Sequence, residues 1–332
     1  MRYLLISVVT GFLPLTSIAA DSEDLLAAKS AIRAGDYGEA RAALEPLDQA
    51  GDADAQHLLG YLYENGFGVT RDLQHAVNLY LRAARGGNAE AQFALGELAY
   101  EGEGIEQNAK TAAGWYLLAA KQDHALAKLR LGVLYAEGNG VKRDRQKALS
   151  YFEDAAIAGE PIAQRNLAIA YLSGDGVAQN LGKAAEWFEL AAAKGDAVAN
   201  YNLGLLYQSG RIGPPDLTAS AEKMRAGAEA GFPPAMVGLG LLLHETGGAD
   251  ELPVDWFELA AAQGDPQGRF LYAVALAEGD GRPQDIAGAI GQLDLILADK
   301  TLLDPEFRRQ VSSLRKTLLK DLPRNRQATN RN

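Results

Sequence analysis

The chain of 332 residues contains no cysteine. This absence excludes disulfides, thiolate catalysis and zinc sites built on cysteine ligands. Histidine is also scarce, because there are only four, His57, His75, His124 and His244, and they share no metal-ligand spacing. We therefore predict no metal site in this protein.

Sequence motifs for nucleotide binding and for serine hydrolysis are missing as well. The Gly-x-Gly sequences lack the lysine and the serine or threonine of a phosphate-binding loop, and no strand precedes them. The chain has no Gly-x-Ser-x-Gly nucleophile motif. We predict no catalytic residue, no cofactor and no enzymatic activity.

The chain is acidic, with a formal net charge of −11. Its last segment, residues 301–332, is rich in lysine and arginine, so the acidic excess lies in the part before it. Nucleic acids and anionic membrane surfaces both attract basic proteins. We therefore predict no nucleic-acid partner, and we interpret most of the acidic side chains as a solvated outer face.

The first 20 residues have the pattern of a secretory signal peptide. Arg2 precedes an apolar segment, Leu4–Leu15, which is short for a transmembrane helix. Small residues follow, and we predict cleavage near Ala19 or Ala20. The alternative is a buried N-terminal helix. The signal-peptide interpretation predicts a periplasmic or secreted protein with no integral membrane span in the mature chain.

A repeated pattern dominates the rest of the sequence, and Ala125–Glu160 shows it clearly. A predicted helix carries the pair Leu131-Gly132, and a glycine turn, Gly138-Asn139-Gly140-Val141, follows it. Asp144 stands where the N-cap of a second helix is expected. That second helix carries an aromatic pair, Tyr151-Phe152, followed by two alanines. Two short amphipathic helices cannot bury their apolar faces alone, so they need similar neighbours.

Such neighbours are present at intervals of 36 residues. The Leu-Gly pair, once with alanine as its second residue, recurs at Leu59-Gly60, Leu95-Gly96, Leu167-Ala168, Leu203-Gly204 and Leu239-Gly240. The predicted caps are Asp72, Asn108, Asp144, Asn180 and Asp216. Agreement of independent positions at one period excludes a chance pattern.

The Leu-Gly pair, the Gly-x-Gly-Val turn, the Asp or Asn cap and the aromatic pair before Ala-Ala together resemble the Sel1-like repeat proteins, a branch of the tetratricopeptide superfamily. The resemblance covers roughly residues 51–300. It implies an all-α fold, a right-handed α-solenoid of stacked helix-turn-helix repeats. Repeats of this kind are binding scaffolds with many roles, so the resemblance says less about function than about fold.

The sequence predicts the following division of the chain. A signal peptide (1–20) precedes a tetratricopeptide-like capping hairpin (21–52), and a C-terminal capping helix (301–321) precedes a disordered basic tail (322–332). Between them, residues 53–300 form six to seven Sel1-like repeats, with bounds at 53–88, 89–124, 125–160, 161–196, 197–232, 233–265 and 266–300.

The resemblance also implies where a partner would bind, because the first helices of such repeats line the inner, concave face. The inward positions are three residues before and one residue after the glycine of the Leu-Gly pair. Two asparagines one residue beyond that stripe could clamp an extended peptide backbone, since an amide both donates and accepts. The predicted groove residues are His57, Tyr61, Phe93, Glu97, Leu129, Val133, Arg165, Asn166, Ile169, Tyr201, Asn202, Leu205, Val237 and Leu241.

We therefore predict a non-catalytic protein–protein interaction scaffold of the bacterial cell envelope that acts as a monomer and binds a partner protein or peptide in this groove. One alternative is binding of peptidoglycan or another polysaccharide, although the aromatic residues recur at the repeat period and are interpreted as core. Another alternative is weak β-lactam binding or hydrolysis, as described for cysteine-rich relatives, whose cysteine pairs this chain lacks.

Overall fold

The computed structural model describes residues 22–247, 251–299, 301 and 304–321. This part of the chain contains 17 α-helices and no β-strand, which confirms the predicted all-α class. The predicted signal peptide and the predicted basic tail lie outside the described residues. In chain order the helices are α1 Glu23–Ala34, α2 Tyr37–Gln49, α3 Ala53–Asn65, α4 Leu73–Arg85, α5 Ala89–Glu101, α6 Ala109–Ala120, α7 Ala125–Glu137, α8 Arg145–Ile157, α9 Pro161–Ser173, α10 Leu181–Ala192, α11 Ala197–Ser209, α12 Leu217–Glu229, α13 Pro233–Thr246, α14 Pro253–Ala262, α15 Pro266–Glu278, α16 Ile286–Ala298 and α17 Pro305–Asp321.

The helices fall into two compact units. Unit 1 comprises the residues up to Ala127 together with Asn139–Val141, and unit 2 comprises Lys128–Gly138 and the residues from Lys142 onward. Within each unit a helix packs on the one before it and the one after it, as α3 does on α4 and α11 does on α12. This is the stacked-pair arrangement of an α-solenoid. We call the two helices of a repeat the first helix and the second helix.

The second helices begin at the predicted N-caps. In each case an Asp or Asn side-chain oxygen accepts a hydrogen bond from the backbone N–H three residues later, at 2.9–3.1 Å. Such a bond satisfies one of the donors that a helix start leaves unpaired. The five residues are those predicted: Asp72, Asn108, Asp144, Asn180 and Asp216.

Residue 123 takes the left-handed backbone conformation that a glycine adopts in the other repeats. Asp123 has φ +61°, and it is the only non-glycine residue with positive φ among the described residues. Gly87 and Gly159, one repeat before and after it, have φ +92° and +98°. Aspartate tolerates this conformation better than most residues, although at a cost.

The glycine of each Leu-Gly pair lies against a large side chain of the second helix. A Cβ atom added at Gly132 would lie 2.5 Å from Cδ1 of Phe152, and one added at Gly60 would lie 2.6 Å from Cε1 of Tyr80. These contacts leave no room for a side chain. The side chain that fills this space is a tyrosine or a phenylalanine opposite Gly60, Gly96, Gly132 and Gly240, and it is Met224 opposite Gly204.

Neighbouring repeats are joined by buried glutamines as well as by apolar contacts. The Nε2 group of Gln92 donates to the backbone carbonyl of Ala84 at 3.2 Å, and Gln164 donates to Ala156 at 3.1 Å. The carbonyls belong to the last turn of the preceding second helix, where each also accepts a backbone hydrogen bond, from the N–H of Gly87 and of Gly159 respectively. Each glutamine therefore fixes a first helix at a set position against the previous repeat.

Candidate functional site

The first helices carry a row of exposed aliphatic side chains in unit 2. Ile169, Leu205 and Leu241 occupy the same position in α9, α11 and α13, one residue after the glycine or alanine of the Leu-Gly pair. They are 40%, 38% and 44% exposed, whereas most large apolar side chains of these helices are buried. We call these three residues the aliphatic row. All three belong to the groove predicted from the sequence.

A first cleft lies beside Ile169 and has a volume of about 300 Å³. Val133 and Asn166, two further predicted groove residues, line it together with side chains of α8. The amide of Asn166 makes no hydrogen bond to any residue that the structure describes. At the rim, Arg145 and Asp175 form an ion pair with N···O 2.7 Å. The cleft thus combines an apolar wall, an available amide and a neutralised charge pair.

A second cleft lies beside Leu205 and has a volume of about 410 Å³. Leu172, Leu205 and Leu206 supply its apolar lining, and Asn202 and Arg211 are among its polar lining residues. The Nδ2 group of Asn202 donates to the backbone carbonyl of Val198 in its own helix, at 2.8 Å. One of the two donors of this amide is therefore engaged within α11, which limits its use as a clamp for a peptide.

The positions three residues before the glycine have different surroundings. Leu129 and Val237 are buried, at 4% and 8% exposure, and so are part of the core. Arg165 pairs with Asp196, with N···O 2.8 Å. Tyr201 makes an edge contact with Phe232 at a centroid distance of 5.6 Å. These side chains are held by the protein itself, whereas the aliphatic row is more open to solvent.

The corresponding surface of unit 1 is aromatic and acidic rather than aliphatic. Phe93 stacks on the ring of His124, with centroids 4.7 Å apart. Tyr61 makes an edge contact with Phe67 at 5.7 Å. Glu97, which stands where Leu205 stands in unit 2, accepts a hydrogen bond from the hydroxyl of Tyr116. The first helices of the two units therefore offer different chemistry to a partner.

A polar cluster in unit 1 was not predicted from the sequence. Nε2 of His124 lies 3.1 Å from a carboxylate oxygen of Glu90, and Nδ1 accepts a hydrogen bond from the N–H of Ala127 at 3.1 Å. Burial opposes ionisation of Glu90, but its hydrogen bond and charge interaction with His124 together lower its pKa below the ordinary value. Burial lowers the pKa of the nearby His57.

The separation of its residues in the sequence could have predicted this cluster. Glu90 and His124 are 34 residues apart, the same separation as Asp54 and Asn88, whose side chains are hydrogen-bonded at 2.5 Å. Both pairs join the first turn of one first helix to the cap position of the next repeat. The cluster therefore serves to hold successive repeats together.

The described residues give no support for catalysis or metal binding. They contain no group of three or more His, Asp or Glu side chains placed to hold a metal ion. Ser220 precedes Lys223, and Ser313 precedes Lys316, with the Ser-x-x-Lys spacing of some acyl-transfer nucleophiles, which the sequence interpretation overlooked. Ser313 and Lys316 occupy exposed positions of α17. Ser220 is fully buried and Lys223 pairs with Glu189 at 3.2 Å, so a substrate does not reach this serine.

Among the described residues, no helix from α1 to α17 is both long enough and apolar enough to cross a bilayer.

The geometry defines a helical-repeat protein whose first helices carry exposed apolar side chains. The Sel1 repeat family model matches residues 53–88, 89–124, 125–160, 161–196, 197–231, 233–265 and 266–290. The chain belongs to the Sel1 repeat family. The suspected resemblance is thereby confirmed.

Solved structures agree with this assignment. A Sel1 repeat protein from Oxalobacter formigenes is 31% identical over 72% of this chain and 97% of its own, with a TM-score of 0.65. The protein c5321, a protective antigen of uropathogenic Escherichia coli with an SLR fold, is 21% identical over 91% of this chain and 80% of its own, with a TM-score of 0.63. The second likeness concerns the fold alone. No curated protein sequence matches the chain significantly.

Proposed function

We propose that this protein is a non-catalytic scaffold of the bacterial cell envelope that binds a segment of another protein along the first helices of unit 2. The aliphatic row carries the proposal. Three large apolar side chains at one repeated position, each about two-fifths exposed, are costly to leave in water and useful at an interface. Sel1 repeats are commonly protein-interaction scaffolds, in agreement with this function.

The two clefts support a peptide-like partner. Their volumes, about 300 and 410 Å³, suit individual side chains rather than a folded domain. Each cleft contains one residue of the aliphatic row and one asparagine. Asn166 offers an unengaged amide to a peptide backbone, while the apolar walls receive side chains.

A pair of matched variants tests the binding surface. The chain from residue 21 onward is used to capture proteins from the envelope fraction of its source organism, and bound proteins are identified by mass spectrometry. The variant Ile169→Asp/Leu241→Asp should lose the partner, because two charges would replace apolar contacts. The control Leu190→Asp/Leu259→Asp changes two leucines on the second helices. Both are 49% exposed, slightly more than Ile169 and Leu241. This control should keep the partner.

The same partner retained by both variants would refute this surface as the binding site. Circular dichroism of both variants must match the parent, so that loss of binding is not loss of folding.

The envelope location is supported by the sequence of residues 1–20, with its Arg2 and apolar segment. Cell fractionation of the full-length chain and of the chain from residue 21 onward tests it. We expect the full-length chain in the periplasmic or secreted fraction, shortened by about 20 residues, and the truncated chain in the cytoplasm. An unshortened full-length chain in the cytoplasm would contradict the proposal.

A further inference from the structure

The turn after α11 carries a positive charge where equivalent turns carry a neutral or an acidic residue. The residue after the first glycine of the turn is Phe67, Glu103, Asn139 or Asp175 in the preceding repeats and Asp280 in the last one. In this turn it is Arg211. A positive charge here is unusual in an acidic chain, and turn packing does not require it, because the side chain is exposed.

Arg211 also differs from its acidic equivalents in having no ion-pair partner among the described residues. Asp175 pairs with Arg145, with N···O 2.7 Å, and Glu103 pairs with Arg71 at 3.3 Å. Arg211 makes no ion pair or hydrogen bond within the described part of the chain. Its guanidinium is therefore available to bind an anionic group of a ligand.

Arg211 lies beside an apolar surface. It lines the 410 Å³ cleft next to Leu172, Leu205 and Leu206, and it is the only ionisable residue among the cleft's lining residues. The cleft beside Ile169 differs in this respect, because it is lined by Glu137 as well as by the ion pair of Arg145 with Asp175. An apolar surface beside one uncompensated positive charge is complementary to a ligand that combines an aliphatic group with an anion.

The anion that a planar guanidinium matches best is a carboxylate, which it can bind through two parallel hydrogen bonds. In a peptide, an aliphatic side chain and a carboxylate lie closest together in a C-terminal residue, where both are attached to the same Cα. An internal acidic residue next to an aliphatic one fits this cleft less well. Neighbouring side chains of an extended segment point in opposite directions, so they do not reach Arg211 and the leucines together.

From this arrangement we infer that the cleft beside Leu205 binds the C-terminal residue of a partner peptide, an aliphatic residue whose α-carboxylate pairs with Arg211. The inference rests on the proposed function, because it names the part of a protein partner that reaches the first helices. The side chain packs on Leu172, Leu205 and Leu206, and the carboxylate accepts hydrogen bonds from the guanidinium.

Two peptide pools test the inference directly. One contains synthetic octapeptides randomised at their last four positions and ending in a free carboxylate. The other contains the same sequences, isotopically labelled and ending in a carboxamide. Both are passed together over the immobilised chain from residue 21 onward. We expect retention of free-acid peptides that end in Leu, Ile or Val, with the matching carboxamides retained about tenfold less.

Three variants assign the effect to the guanidinium. Arg211→Ala should remove the preference for the free acid, and Arg211→Lys should keep part of it, because an ammonium retains the charge without the planar fork. Arg33→Ala is the control, since it removes an equally exposed arginine from α1 in unit 1. It should behave as the parent does.

Equal retention of the two pools, retention of neither, or an unchanged preference in Arg211→Ala would each overturn the inference. None of these results decides the proposed function, which depends on the separate comparison of Ile169→Asp/Leu241→Asp with its second-helix control. If that comparison fails while the free-acid peptides are retained through Arg211, the cleft binds peptides and the aliphatic row does not.

Discussion

Replacement of Gly132 by leucine tests the packing that joins the two helices of a repeat. The first atom of any side chain at this position would lie 2.5 Å from the Cδ1 and Cε1 atoms of Phe152. Carbon atoms in contact are about 3.5–4 Å apart, so the ring must move by about 1 Å. Phe152 is only 8% exposed and packs in the core that includes Leu129 and Leu167, so its surroundings resist this shift.

Two energies of opposite sign determine the size of the effect. Overpacking of a core typically costs about 1–3 kcal/mol, and a full leucine side chain falls at the upper end. Removing a glycine from a helix interior returns about 0.8 kcal/mol, because the unfolded chain becomes less flexible. We therefore expect Gly132→Leu to lower the free energy of unfolding by about 2 kcal/mol.

A matched variant isolates the packing contribution. Gly291 lies inside α16, is exposed, and has no atom within 4 Å of the position that a Cβ would take. Gly291→Leu should therefore show only the gain from removing a glycine inside a helix and stabilise the chain by about 0.8 kcal/mol. Gly204→Leu should fall between the two, because the side chain of Met224 is flexible and can move aside, while the backbone carbonyl of Ser220, 3.2 Å from the Cβ position, cannot.

Urea denaturation followed by far-ultraviolet circular dichroism measures all three variants. The packing explanation is refuted if Gly132→Leu is as stable as the parent, or if it is stabilised to the same degree as Gly291→Leu.

Three further predictions concern the backbone, pH and capping. Asp123→Gly should raise the free energy of unfolding by about 0.5 kcal/mol, because glycine adopts φ +61° without strain but makes the unfolded chain more flexible; a lowered urea midpoint would contradict this. Burial lowers the pKa of His57 from its ordinary 6.5, so the unfolded state binds the proton more readily and stability falls as the pH drops below that value. His57→Gln should reduce this loss, and equal losses for both chains between about pH 7 and about pH 5 would refute it. Asp144→Ala should cost about 1 kcal/mol by thermal melting, since it removes the hydrogen bond to the N–H of Lys147; Ser150→Ala, at an exposed site of the same helix, serves as its control.

Much of the fold could be predicted because its determinants are local or periodic. A cap such as Asp144 acts on a backbone group three residues away. A left-handed residue such as Asp123 depends on the turn that contains it. The 36-residue period then places equivalent residues in equivalent surroundings, so one repeat describes the others.

The sequence placed the predicted groove positions on the first helices but could not say which of them stay exposed. Leu129 and Ile169 are both apolar residues of predicted inward positions, yet Leu129 is buried and Ile169 is 40% exposed. The sequence also could not show that Asn202 donates to its own helix while Asn166 does not. Those outcomes depend on neighbouring side chains and rotamers, which no single repeat encodes.

The sequence by itself determined the helices, their caps, their turns and the family. Only the tertiary structure decided which side chains are available to a partner. It pairs Arg165 with Asp196 and His124 with Glu90, and among the described residues it leaves Arg211 unpaired beside a cleft lined in part by leucines. The physical reason is that each of these outcomes depends on atoms roughly one repeat away in the chain, brought within a few ångströms only by the stacking of repeats.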